Sequence, residues 1–427
     1  MLLYDSFSRQ KIELPAPPGP IRMYVCGPTV YQRIHIGNAR PFVVSMWMRR
    51  WFLERGYEVK LVENITDIND KIYEAAARQH LESAELAQQA TQWYIEDTDD
   101  LGLGRPDVEP RATEVIPEIV ALIGDLVGRG LAYESGGDVY FSVPSYPAYG
   151  ELSGAQPDEM VAQEESDLKE DPRDFALWKA TKPHEDTHWE SPWGPGRPGW
   201  HIECSAMAEK HLGPEFEIHG GGLDLRFPHH ENELAQSRGA GRPFARFWAH
   251  NGLLQLAEEK MSKSVGNIVS LREVLDAYGR EAILVFFLGS HYRGPLDYSE
   301  EAMQAAQAQA EGFRNAFRGT PEQPSVGWEA FEAALEDDFN TQAALAVLHE
   351  WRSAGQVELL LRGLTLFGLE SLAEQRAAPA EVVELASRRK EARERGEFDE
   401  ADRLRHEVEA AGWEVRDKPD GFDLVPL

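Results

Sequence analysis

The sequence predicts an α/β protein: a Rossmann-like parallel-sheet domain over residues 1–300, with an insertion at about 100–200, followed by an all-α helical-bundle region. Three observations predict it. A strand, a glycine–proline turn and an amphipathic helix lead into a second strand near the start. Strand-like runs return after residue 199, beyond a stretch rich in proline, glycine and charge. After residue 299 the composition turns almost wholly to Ala, Glu, Gln and Arg.

The elements follow in order. Residues 22–26 read as a strand, ended by Gly27-Pro28, because proline lacks the amide a ladder needs. A helix is expected to open near Asn38-Ala-Arg-Pro41, with the proline in its first turn, where a missing N–H costs nothing. Val43, Val44, Trp47, Trp51 and Phe52 form its buried stripe, and Gly56 stops it. Residues 58–66 are the second strand, which makes a right-handed βαβ unit with parallel strands. Ligands of such sheets sit beyond the carboxyl ends of the strands, where Cys26, His35 and Gly37 fall. Residues 72–101 and 111–130 read as helices. Two short strands flank the turn Glu134-Ser-Gly-Gly-Asp138. Residues 144–200 read as a loop-rich insertion. The sheet is expected to resume with strands at Gly199-Trp-His-Ile-Glu-Cys204 and at 215–219, then a helix over 229–238 and a strand over 246–254. Breaks at Gly319-Thr-Pro-Glu-Gln-Pro324 and Ala378-Pro379 divide the helical part, and residues 412–427 read as a small β-like cap.

Composition bounds the function. Apolar residues make up 42% and charged residues 27%, as in ordinary globular proteins. No apolar run reaches the ~18 residues that span a bilayer, and the N-terminus lacks the pattern of a signal peptide. Two cysteines are too few for a disulfide framework, so the expectation is a cytoplasmic protein. A formal charge of −30 disfavours non-specific nucleic-acid binding. It leaves room for a specific RNA partner, because residues 1–60 hold nine Lys/Arg against four Asp/Glu.

Chemistry gathers in three places. His35-Ile-Gly-Asn38 sets a glycine and a histidine at a helix N-terminus, where a phosphate meets backbone N–H groups and the positive end of the dipole. Alone, such a tetrapeptide is more often an ordinary loop. Lys260-Met-Ser-Lys-Ser264 brings two mobile cations that suit a triphosphate whose charge grows in the transition state. In this order the pair resembles the class I aminoacyl-tRNA synthetase signatures written HIGH and KMSKS. The first departs from the pattern at Asn38, where the family has histidine. The third place is Cys26, Cys204, His229 and Glu233. His229 and Glu233, four apart, share a helix face, while each cysteine is expected to end a strand of one sheet. Two thiolates, an imidazole and a carboxylate suit tetrahedral zinc. Free buried cysteines acting as small apolar residues are the competing reading. His230 competes as a ligand but is expected on another helix face from Glu233.

Longer stretches sharpen the resemblance. Met23-Tyr-Val-Cys-Gly-Pro-Thr-Val-Tyr31, Asn64-Ile-Thr-Asp-Ile-Asn-Asp-Lys71, Arg197-Pro-Gly-Trp-His-Ile-Glu-Cys-Ser-Ala-Met207, Phe227-Pro-His-His-Glu-Asn-Glu233 and Lys260-Met-Ser-Lys-Ser264 closely resemble the cysteinyl-tRNA synthetase family. The resemblance implies an ATP-dependent cysteine–tRNA ligase. It would form cysteinyl-adenylate from L-cysteine and ATP, with Mg²⁺ on the phosphates, then charge the 3′ terminal adenosine of tRNA(Cys). It implies one zinc on Cys26, Cys204, His229 and Glu233, taking the substrate thiolate and so rejecting serine, whose oxygen is a poorer match. It implies that His35, Gly37, Asn38 and Lys263 hold ATP and that His35, Lys260 and Lys263 serve catalysis. Cys26, Thr66, Trp200 and Asp224 would line the amino-acid pocket, with His201 a weaker candidate. The domains would then be a catalytic domain over 1–300, a helical tRNA-binding domain over 301–385 and a tRNA-reading segment over 386–427, in a monomer that touches no membrane. Arg388, Arg389, Lys390, Arg393 and Arg395 would meet phosphates; a salt-bridged, solvated helix is the rival reading. Two other functions stay open: a mycothiol-type ligase joining cysteine to an amino-sugar, and a non-catalytic paralogue binding RNA or cysteine.

Overall fold

The structure, a computed structural model, describes residues 1–155, 166–183, 185–256, 259–260, 269–318, 322–374, 378–418 and 421–426. It divides into two compact units, Met1–Glu370 and Ser371–Leu427.

The first unit opens with a hairpin of β1 (Leu2–Asp5) and β2 (Gln10–Glu13). Then β3 (Pro20–Val25), α1 (Ile36–Glu54) and β4 (Glu58–Glu63) make the expected βαβ unit, with β3 and β4 parallel from Pro20↔Glu58 to Val25↔Glu63. Trp47, Trp51 and Phe52 of α1 are fully buried, as the apolar stripe requires. The helix opens two residues earlier than expected, which leaves Pro41 inside it. The early start has a long-range cause: Ile36 N donates to Val269 O at 3.1 Å, and Leu271 N to Ile34 O at 2.9 Å.

Three helices follow: α2 (Asp70–Gln79), α3 (Ser83–Asp99) and α4 (Ile116–Gly128). The Asn69 side chain caps α2 by accepting from Lys71 N. The insertion is more regular than a loop. Its strands β5 (Ala132–Ser135), β6 (Asp138–Phe141), β7 (Phe175–Ala180) and β8 (Gly196–Pro198) form an antiparallel sheet in that order.

The chain then returns to the parallel sheet through α5 (Trp200–Leu212), β9 (Glu215–Gly222), α6 (Glu231–Gly239) and β10 (Phe244–Asn251). The order β10-β9-β3-β4 reverses between β9 and β3, and that switch point opens a crevice at the carboxyl ends. One expectation is corrected here. Gly199–Cys204 is no strand: Gly199 caps α5 and Cys204 lies in that helix. Every residue from His201 to Ala208 is buried, so the helix shows no polar face in its sequence.

Beyond the sheet come β11 (Leu254–Leu256), β12 (Glu259–Lys260), α7 (Leu271–Leu288) and β13 (Leu296–Tyr298). Ser270 and Glu273 cap α7 reciprocally. The helices α8 (Glu300–Ala316), α9 (Trp328–Glu336), α10 (Thr341–Ala354) and α11 (Val357–Leu366) complete the unit. They pack on the sheet domain rather than standing apart: Trp47 Nε1 donates to Phe367 O at 3.0 Å, and Tyr4 N to Asp338 Oδ1 at 2.8 Å.

The second unit pairs α12 (Ala380–Glu394) and α13 (Phe398–Ala410) with an antiparallel hairpin, β14 (Trp413–Lys418) and β15 (Gly421–Pro426), the expected terminal cap. Val382, Ala386, Val408, Trp413 and Val415 form its core. Among the described residues no helix is long and apolar enough to cross a membrane.

Candidate active site and metal cluster

A cleft of about 620 Å³ opens at the switch point. One wall is the turn after β3, with Cys26, Gly27 and Thr29. A second is the start of α1, with His35, Gly37 and Asn38. A third is the loop after β10, from Asn251 to Leu254, while Trp200 and Asp224 close the remaining side.

The α1 wall is built by backbone contacts. His35 caps the helix in an extended conformation (φ −85°, ψ 159°) and forms an antiparallel backbone bridge with Ser270. A Cβ on Gly37 would meet His35 Nδ1 at 2.9 Å and Cε1 at 3.0 Å, so only glycine lets the ring lie there without shifting. Pro41 lacks the amide that would bond the Gly37 carbonyl in a regular helix. Asn38 is exposed at the cleft. Arg40, which sequence reasoning passed over, is buried beneath this wall. It donates to Gly252 O at 2.7 Å and His291 O at 3.1 Å, tying α1 to the loop after β10.

At the foot of the cleft Cys26, Cys204, His229 and Glu233 come together, all buried, with one ligand atom of each within 4.8 Å of the others. Cys26 follows β3, Cys204 comes from α5, His229 from the turn into α6 and Glu233 from the first turn of α6. The Cys26 thiol lies 3.4 Å from Glu233 Oε1, and His229 Nε2 lies 3.1 Å from the same oxygen. Burial pushes both thiols above their ordinary values and holds the His229 imidazolium well below its own. Histidine is thus in its ligating, neutral form, while the thiols need a cation to become thiolates. Glu233 Oε2 makes no hydrogen bond among the described residues. This donor set fits a metal ion.

Four further histidines surround the cluster. His201 Nδ1 lies 2.8 Å from His229 Nδ1, and burial lowers the His201 pKa to about 3. His230 Nδ1 lies 2.8 Å from His250 Nε2. His219 Nε2 approaches the Cys26 thiol at 3.7 Å and Glu233 Oε2 at 3.2 Å. The expected separation of His230 from Glu233 is corrected: His230 Nε2 lies 4.0 Å from Glu233 Oε1, because residues three apart on a helix are neighbours too. Cys26, His219, His230 and Glu233 form a second grouping within 4.8 Å. The sequence signal for this shell is the crowding of six of the chain's histidines between positions 201 and 250, of which His211 alone stays outside it.

The other predicted residues fall as follows. Trp200 packs against His229 with ring centroids 4.3 Å apart and planes tilted by 32°, and it lines the cleft. Asp224 lies in a one-turn helix at the rim. Thr66 is buried behind the Cys26 turn, where its amide donates to Pro28 O at 3.0 Å. Lys260 ends β12, paired with Gln255. Its side chain, and all of Lys263, lie outside the described residues.

A family profile described as tRNA synthetases class I (C) catalytic domain matches residues 13–308, and a DALR domain profile matches 330–358. A cysteine–tRNA ligase of Rubrobacter xylanophilus is 45% identical, over 98% of this chain and 97% of its own. One of Carboxydothermus hydrogenoformans is 42% identical, over 99% of both. The chain belongs to the cysteine–tRNA ligase family. Among solved structures, methionyl-tRNA synthetase of Mycobacterium tuberculosis in complex with methionyl-adenylate is similar at a TM-score of 0.57, with 16% identity over 87% of this chain and 84% of that one. The LeuRS of Agrobacterium radiobacter K84, in a ternary complex with tRNA and LeuAMS, reaches 0.59, with 12% identity over 85% and 86%. These two likenesses show the class I synthetase fold. The cleft and every residue of the candidate cluster lie inside the family's catalytic-domain match, and α10 lies inside its DALR match.

Proposed function

We propose that this member of the cysteine–tRNA ligase family activates L-cysteine with ATP in the cleft and transfers it to the terminal adenosine of tRNA(Cys). The observation that carries the reading is the buried Cys26–Cys204–His229–Glu233 cluster at the foot of a cleft walled by His35, Gly37 and Asn38.

Zinc suits the cluster, since two thiolates, an imidazole and a carboxylate form a soft donor set. When bound, it would offer the substrate thiol a soft Lewis acid, a preference serine cannot satisfy. Trp200, Thr66 and Asp224 would shape the amino-acid pocket. His35, Gly37 and Asn38 would hold the nucleotide at the α1 N-terminus, where backbone N–H groups and the dipole favour phosphate. Lys260 and Lys263 would neutralise charge building on the phosphates, with Mg²⁺ carried in on ATP.

The first step is an in-line displacement. The cysteine carboxylate oxygen forms a bond to the α-phosphorus as the bond to pyrophosphate breaks, and the enzyme's part is positioning and charge stabilisation. A hydroxyl of the tRNA's terminal adenosine then attacks the acyl carbon and AMP leaves. We assign tRNA reading to the helical residues 301–385 and the segment 386–427, in a cytoplasmic monomer. The relatives' match runs over 98% of the chain and so includes the C-terminal unit, which disfavours the amino-sugar ligase.

Cysteine-dependent exchange of pyrophosphate into ATP, followed by transfer of labelled cysteine to tRNA, tests the whole reading. Exchange and charging with cysteine, and neither with serine, are expected. Exchange without transfer to tRNA would refute the second step.

A further inference from the structure

Asn64, just past β4, is fully buried and meets three parts of the pocket at once. Its Oδ1 accepts from the backbone N–H of Gly27 at 3.0 Å. The Cys204 thiol reaches the same oxygen at 3.7 Å. Its Nδ2 donates to Thr66 Oγ1 at 3.2 Å. A backbone amide can only donate, so the Gly27 contact fixes which end of the side chain is oxygen, and hence its orientation.

The backbone at this point is as tightly tied. A Cβ on Gly27 would fall 1.8 Å from Asn64 O, so the turn carrying Cys26 rests directly on Asn64. Thr66 N donates to Pro28 O, and Val30 N to Thr66 O, lacing the two segments together on either side. Cys26 and Cys204 come from elements 178 residues apart in sequence, the turn after β3 and the helix α5 (204 less 26), yet one side chain touches the neighbour of the first and the sulfur of the second.

We propose that Asn64 is a positioning residue for the metal pocket: it sets the Cys26 turn, the Cys204 sulfur and Thr66 in one fixed relation, and so governs metal retention and cysteine binding rather than nucleotide binding. The proposal rests on the metal reading given above. Groups behind a ligand hold it in its bonding direction, and their loss typically weakens metal binding ~10–100-fold. The nucleotide wall, His35 to Asn38, is held instead through Val269, Ser270 and Arg40.

The test compares wild type, Asn64→Ala and Thr66→Val as purified full-length proteins. Zinc affinity is measured by competition with a chromophoric chelator, and KM for cysteine, KM for ATP and kcat are taken from pyrophosphate exchange. Circular dichroism checks the fold. Asn64→Ala is expected to bind zinc ~10-fold or more weakly and to raise the cysteine KM, with the ATP KM unchanged. Thr66→Val, which removes one partner and keeps the shape, is expected to move the same two quantities in the same direction by less. If Asn64→Ala does not fold, Thr66→Val decides on the same readouts. Folded variants with wild-type zinc affinity and cysteine KM overturn the proposal alone. Wild-type protein that binds no zinc overturns it together with the metal reading.

Discussion

His201 Nδ1 lies 2.8 Å from His229 Nδ1. Burial keeps both rings neutral, so one must donate and the other accept. With Nδ1 engaged, His229 presents Nε2 to Glu233 and the cluster. His201→Ala should free that ring. The expected result is a zinc affinity ~10–100-fold weaker, read by chelator competition, with the ATP KM unchanged. An unchanged zinc affinity would show that His201 only fills space.

Gly37→Ala puts a methyl group against the His35 ring. The ring must move, and a displacement of about 1 Å in a positioning group can cost ~10²-fold. Steady-state pyrophosphate exchange should show a fall of that order in kcat/KM for ATP, while zinc content stays at the wild-type level. Wild-type kinetics would remove His35 from the nucleotide site.

Asp417 accepts from Arg389 and Arg393, and its carboxyl is held down to about 2, chiefly by the Arg389 hydrogen bond. A carboxyl lowered in the folded state stabilises that state above its unfolded value near 3.8, and the contribution fades as pH falls toward 2. Asp417 itself is about half exposed, so the effect is small, about 1 kcal/mol or less. Asp417→Asn should therefore speed amide exchange in β14 and β15 a few-fold at neutral pH. The gap from wild type should close between pH 4 and pH 2. A gap that persists at pH 2 would assign the change to packing instead.

The same pairing narrows the basic helix as a tRNA contact. Arg389 is buried against Asp417, so of the five bases expected to meet phosphates it is a brace. Arg388, Lys390 and Arg395 stay exposed, with long or solvent-facing ion pairs. Changing Arg388 and Lys390 to Glu should leave pyrophosphate exchange intact, weaken tRNA binding and lower its salt slope by about one per lost contact. An unaltered salt slope would place the tRNA elsewhere.

Much of this was legible in the chain, and the rest was hidden for physical reasons. Gly27-Pro28 and Gly56 punctuate the βαβ unit, so local rules found it. The start of α1 was misjudged because a backbone contact to Val269, over two hundred positions away, holds Ile36. Gly199–Cys204 reads as a strand because α5 is buried from His201 to Ala208 and shows no polar face there. Chemistry and spacing make the four ligand candidates plausible, but composition alone favours buried apolar cysteines, and the family resemblance is what selects the set. His219 and His250 were missed because each lies in a strand and reaches the cluster only through sheet pairing and the turn before α6. Asn64 was quoted within a motif, but its contacts to Gly27 and Cys204 exist only in the fold.

On the proposed function, the buried cluster holds the metal that selects cysteine. Elemental analysis of the purified protein, run beside cysteine-dependent pyrophosphate exchange, tests it most directly. Close to one equivalent of zinc per chain is expected in wild type, with both zinc and exchange lost in Cys204→Ala. A metal-free preparation with full exchange activity would contradict it.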